Sequence, residues 1–130
     1  MPELISAIIA GVVFYIIGAF WYSPLLFGKQ WMKLSGIKPV QMSKEGVWKS
    51  YLGGFLASLI TAIVLWLVIT GIGISSILES MKMAVFLWIG FIAATSLNNV
   101  IWGGKKVQLY ILENGYYLAG MLAMSAIIAF

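Results

Sequence analysis

Polar positions in this chain fall in blocks, and the apolar stretches between them are long. Four stretches stand out: Leu4 to Tyr22, Tyr51 to Thr70, Met83 to Trp102 and Val107 to Phe130. Each holds about 20 residues, which as a helix crosses a hydrocarbon layer about 30 Å thick. None alternates apolar with polar positions, and lipid cannot solvate open sheet edges, so helices are predicted rather than strands. The pattern predicts an all-α fold: an integral membrane four-helix bundle. It forms one domain over residues 1-130, with spans at roughly 4-23, 50-70, 80-102 and 107-129. The first stretch begins Met-Pro-Glu, with no basic leader before it and no small-x-small cleavage site after it, and is read as a retained span.

The ends of these stretches carry local signals. Ser76-Ile-Leu-Glu79 has the spacing of a capping box and predicts the start of the third span. Gly103-Gly104 predicts its end. Ser43 before Lys44-Glu45 predicts the start of the second. The third and fourth spans then form a tight hairpin. Glu79 and Lys82, three residues apart, suit a local ion pair.

Between the first two spans lies GAFWYSPLLFGKQW, starting at Gly18. Trp21 and Tyr22 carry rings that favour the headgroup level, and Pro24 stops the helix and biases Ser23 away from helical geometry. Phe27, Trp31 and Leu34 then recur at helical spacing, with Lys29 and Lys33 on another face. That arrangement predicts a short amphipathic helix lying in the interface as an anchor, rings down and ammonium groups up. A second reading stays open, in which Trp21, Tyr22 and Ser23 also line a pocket.

Charge orients the bundle. Lys29, Lys33, Lys38, Lys44 and Lys49 lie between spans one and two, Lys105 and Lys106 between spans three and four, and only Lys82 near the opposite side. The positive-inside rule puts the first two groups in the cytoplasm and both termini outside, an N-out/C-out topology expected in a bacterial cytoplasmic membrane. Composition agrees: 62% of residues are hydrophobic and 9% charged, with a net charge of +4 carried by lysine. A water-soluble domain is about one-quarter charged. The lysines punctuate apolar runs, which suits lipid partners, including anionic headgroups, and no nucleic-acid role is expected. The chain has no Cys, His, Asp or Arg, so a disulfide, a thiolate or zinc site and a catalytic triad are excluded. No metal, cofactor or enzymatic activity is expected.

Glu113 is the one ionisable residue well inside an apolar run. Six residues past Val107, it lies about 9 Å along a helix, where a carboxylate must face protein or water. Asn98 and Asn99 near the end of the third span, Asn114, Tyr117, Trp21 and Tyr22 fall at similar depth, with Ser58 and Thr61 somewhat deeper. The other half is nearly all Ile, Val, Leu, Ala and Phe. This asymmetry predicts a polar vestibule open to the cytoplasm, although Asn, Ser and Thr also serve as hydrogen-bonded glue between helices. Small residues mark helix packing: Gly53, Ala57 and Thr61, or Gly54, Ser58 and Ala62, in the second span; Gly90, Ala94 and Asn98 in the third; Gly115, Ala119 and Ala123 in the fourth. Glu113 and Gly115 are about 160° apart on a helix. Both faces of the last span therefore need covering, which predicts a homo-oligomer.

Trp21-Tyr22-Ser23-Pro24, Phe27-Gly28 and Trp31 resemble the first-helix signature of the domain-of-unknown-function 1761 family of small bacterial membrane proteins. Gly90 to Asn99 is similar to that family's third-helix segment, and Gly115-Tyr116 with Met124 to its last helix. The chain departs from the family pattern at Glu113 and at Gly103-Gly104-Lys105-Lys106. The resemblance implies four spans and no particular activity. Three functions stay open: a transporter, channel or ligand-binding protein using Glu113; a non-catalytic scaffold or accessory subunit; and lipid handling through the Phe27–Leu34 segment with Lys29, Lys33 and Lys38.

Overall fold

The computed structural model of the protein describes residues 3–36 and 44–130, and the side chains of all of these but Lys44 and Glu45. Five helices run in order: α1 (Leu4–Trp21), α2 (Gly28–Ser35), α3 (Lys44–Ile72), α4 (Ile77–Ile101) and α5 (Val107–Ala129). There is no strand among the described residues. All but α2 are long and apolar enough to cross a membrane. The Ser43 start and Lys38 lie outside the described residues.

The predicted caps form where the sequence puts them. The Ser76 hydroxyl accepts from the Glu79 backbone N–H at 3.4 Å. Lys82 pairs with Glu79 at 3.6 Å, with both side chains exposed. Past Ile101 the chain turns through Gly104, whose φ of 70° lies in the left-handed region. Within α4, Trp88–Ala93 form a π-helical segment. There the Thr95 and Ser96 hydroxyls donate to the carbonyls of Phe91 and Ile92, at 2.7 and 2.6 Å. Such back-bonding from Ser and Thr bends helices.

The long helices pack antiparallel. Tyr15 of α1 meets Phe55 of α3 edge-on, and Gly11 faces Leu59 and Ala62 further along. On its other side α1 meets α5: Trp21 reaches Leu112, while Phe14 stacks on Tyr116 and covers Gly120. Small residues let these helices approach closely backbone to backbone. Ala7, Ala10 and Gly11 form that face on α1, and Ser58 and Ala62 the matching face on α3. The core continues through Leu65, Ile69, Ala84, Met121, Met124 and Ile128.

Two packing expectations are corrected. Gly53 and Ala57 of α3 face outward, so the inward row is Gly54, Ser58 and Ala62. Gly90, Ala94 and Asn98 of α4 are exposed, and a Cβ at Gly90 would meet nothing within 4 Å. On α5 the row Gly115, Ala119 and Ala123 is half-buried, and the tightest approach is at Gly120, where a Cβ would collide with the Phe14 ring. The four long helices also do not close into a ring of equal contacts. α1 and α5 are central, α4 leans on α5, and α3 and α4 barely meet. α5 meets α1 on one side and α4 on the other. α4 is the least covered long helix.

The apolar half is not free of polar groups. Ser6, Ser80 and Ser125 are all fully buried there. Ser6 and Ser125 donate to the carbonyls of Glu3 and Leu122, whereas the Ser80 hydroxyl has no hydrogen-bond partner among the described residues. Leaving a buried hydroxyl unmade costs about 1–3 kcal/mol. Ser80→Ala therefore raises the melting temperature in detergent, and a lowered one contradicts this account.

Candidate functional site

The short linker from α1 to α2 sets the site's geometry. Past Trp21 the chain folds back on itself: Phe27 N–H donates to the Trp21 carbonyl at 3.0 Å and Gly28 N–H to the Ser23 carbonyl at 2.9 Å. This brings α2 against the end of α1. Phe27 packs on Trp21 with ring centroids 4.8 Å apart, and Trp31 meets Tyr22 edge-on at 5.9 Å. The short amphipathic helix exists, with Lys29 and Lys33 exposed, and its rings Phe27 and Trp31 pack on the end of α1. Trp21 is held further by its indole N–H, which donates to the Leu112 carbonyl of α5 at 3.1 Å.

That docking presents Tyr22 to one face of α5. Tyr22 meets Tyr116 edge-on at 5.5 Å, and Tyr116 lies 5.2 Å from Tyr117. The Tyr116 hydroxyl donates to the Phe14 carbonyl at 3.2 Å, with Ser58 of α3 also in hydrogen-bonding reach. Glu113 is on this face, one turn before Tyr117, and its charge acts on both Tyr22 and Tyr117. Its carboxylate is taken by Lys105, whose ammonium donates at 2.5 Å. The two side chains keep 27% and 24% of their surface accessible, so the pair is shielded without being sealed. The result is a half-open cluster of one carboxylate, one ammonium and three phenols.

Of the residues singled out in the sequence, Glu113, Tyr22 and Tyr117 come together here. Trp21 supports the cluster through the backbone of α5. Asn114 does not join it. One residue on from Glu113, Asn114 is turned 100° around the helix and buried against α4. Its amide donates to the Tyr110 carbonyl at 2.9 Å, and its oxygen accepts from Ser96 at 3.2 Å. Trp88 donates to the Asn114 carbonyl at 3.0 Å, and Tyr110 to the Ala93 carbonyl at 2.6 Å. This network ties α4 to α5 as hydrogen-bonded glue. Asn98 and Asn99 are exposed on the far side of α4; the Asn98 amide donates to the Thr95 carbonyl at 3.2 Å, and neither residue reaches Glu113.

Sequence reasoning missed Lys105 as a member of the site, having read it only as a topology charge. The available signal was an unlike pair separated by eight residues across a helix start, within reach of a long flexible side chain. Tyr116, Ser96 and Tyr110 were also missed, since depth along a run does not show which neighbour a side chain meets. No group of His, Cys, Asp or Glu able to hold a metal occurs among the described residues.

Fold and site together define a small all-helical protein with four helices long and apolar enough to cross a membrane and a charged, phenol-lined cluster toward one end of them. Residues 5–129 match the family described as a protein of unknown function, DUF1761, and the chain belongs to that family. No curated protein and no solved structure matches it.

Proposed function

We propose that the chain is an integral protein of the bacterial cytoplasmic membrane, with both termini outside. In this reading it binds or transports a small cation at the cytoplasm-facing vestibule around Glu113. The observation that carries the reading is the Lys105–Glu113 pair, about one-quarter accessible, beside the cluster of Tyr22, Tyr116 and Tyr117. A carboxylate this far inside a span marks an ion or substrate path. Aromatic faces around it favour a cation over bulk water. Lys105 belongs to the connection before α5, not to a helix, so its side chain can leave. It acts as a resident alkylammonium that an incoming cation displaces. Exposed Gly90, Ala94 and Thr95 on α4 suit close approach by a second copy, which supports a homo-oligomer.

Radiolabelled methylammonium, a free counterpart of the lysine head, is the probe. Purified wild-type protein binds it in a scintillation-proximity assay, Glu113→Gln loses at least about tenfold in affinity (about 1.4 kcal/mol), and Lys105→Met binds more tightly because the competitor is gone. The second reading, a non-catalytic scaffold or accessory subunit, is favoured by the part-buried Asn114–Ser96 network and the uncovered face of α4. It stands alone if Glu113→Gln changes stability and methylammonium binding is absent from all three proteins.

A further inference from the structure

A cavity of about 670 Å³ lies on the other face of α5 from Glu113, between α5, the end of α1 and α2. That volume falls in the range of small-molecule sites, about 300–1,000 Å³. Its walls are apolar and aromatic, built chiefly by Trp21, Phe27 and Leu112, and exposed Ile111 stands at its outer edge. Its polar side chains are Gln30 and Lys33 from α2 and Gln108 from the first turn of α5. An apolar slot with amide and ammonium donors at one rim has the layout of a site for an amphiphile with an anionic head.

We infer that this groove holds an anionic phospholipid of the surrounding bilayer, with one acyl chain along Trp21 and Leu112 and its phosphate at Lys33, Gln30 and Gln108. Three observations select that occupant. The groove sits where α5 begins, two residues beyond a connection bearing Lys105 and Lys106, which is headgroup depth for a spanning helix. Lys33 is exposed and makes no ion pair among the described residues, so its charge is available. Every charged group on α2 is a lysine, so an anion meets attraction and no repulsion there. The inference rests on the membrane placement proposed above and is independent of the cation site, which lies on the opposite face of α5.

The experiment reconstitutes the full chain into vesicles of equal parts phosphatidylglycerol and phosphatidylcholine, floats them, and counts retained lipid by native mass spectrometry after gentle extraction. Wild-type protein floats and retains phosphatidylglycerol in preference to phosphatidylcholine. Lys33→Gln lowers that preference about fivefold, the value of one lysine near an anionic surface, and Lys33→Arg restores it. Ile111→Trp fills the slot from an exposed position and abolishes retention of either lipid. Lys29→Gln, on the same helix but outside the groove, leaves retention unchanged. Equal losses in Lys29→Gln and Lys33→Gln, or full retention in Ile111→Trp, overturn the groove. Failure of wild-type protein to float overturns the membrane placement instead.

Discussion

Lys105→Met destabilises the protein more than Glu113→Gln does, although each removes one half of the same ion pair. The asymmetry follows from where each charge is rooted. Glu113 is fixed about 9 Å inside α5 and cannot leave without unwinding the helix, so losing Lys105 strands a carboxylate at depth. Lys105 hangs from the connection before α5, and once Glu113 is neutral its long side chain swings to water. Removing one partner of a fully buried pair costs about 3–5 kcal/mol, and exposed pairs contribute about 0–1 kcal/mol. With a quarter of each side chain accessible, the stranded carboxylate lies between these limits, at about 1–3 kcal/mol. The freed lysine costs less than about 1 kcal/mol. The double variant Lys105→Met with Glu113→Gln recovers most of the loss, because neither charge remains to be solvated. Chemical unfolding of the four proteins in one detergent measures this cycle. Equal single losses, or a double variant as weak as the sum of the singles, contradict the geometry.

The same pair shows which part of the site was legible in the sequence. Depth and charge are one-dimensional properties: counting from Val107 is enough to flag Glu113, and the phenol of Tyr117 follows one turn later on the same face. Rotation about the helix is legible too, which is why Glu113 and Gly115 were assigned opposite faces. What a single sequence does not carry is which neighbour each face meets. Asn98, Asn99 and Asn114 share a depth with Glu113, yet Asn114 turns toward α4 and the other two turn away from the protein. Which neighbours flank the last helix is hidden in the same way. α5 has α1 on one side and α4 on the other, which rotation about the helix alone does not reveal. The long apolar helices, by contrast, needed only hydropathy and caps. The third was expected at 80-102 and runs Ile77–Ile101; the fourth was expected at 107-129 and runs Val107–Ala129. The π-helical segment within α4 left no trace in apolar counts, because Gly90 reads equally well as a packing residue.

Gly28→Ala loosens α2 from the rest of the protein, the second large effect expected. A Cβ at Gly28 would lie 2.8 Å from the Ser23 carbonyl carbon and oxygen, and closer still to the Tyr22 carbonyl oxygen. These are backbone atoms, so no rotamer change relieves the clash. They are also held in place, since the Ser23 carbonyl accepts from both Leu26 and Gly28 and the Ser23 hydroxyl donates to the Phe20 carbonyl at 2.7 Å. The turn must open, and the contacts it aligns, Phe27 on Trp21 and Trp31 on Tyr22, weaken with it. Overpacking of this kind costs about 1–3 kcal/mol. The loss is local, because α2 contributes little to the contacts among the four long helices. Trypsin reads it directly: cleavage after Lys29 and Lys33 accelerates in Gly28→Ala while the long helices stay resistant. Gly53→Ala is the matched control, since a Cβ there meets nothing within 4 Å and the exchange favours helix. Gly120→Ala is the informative contrast. Its neighbour is the Phe14 ring, which can rotate away, so that variant strains the α1–α5 contact without exposing α2. If Gly28→Ala and Gly53→Ala are cleaved at the same rate, the tight turn is not what holds α2, and its aromatic contacts alone must do so.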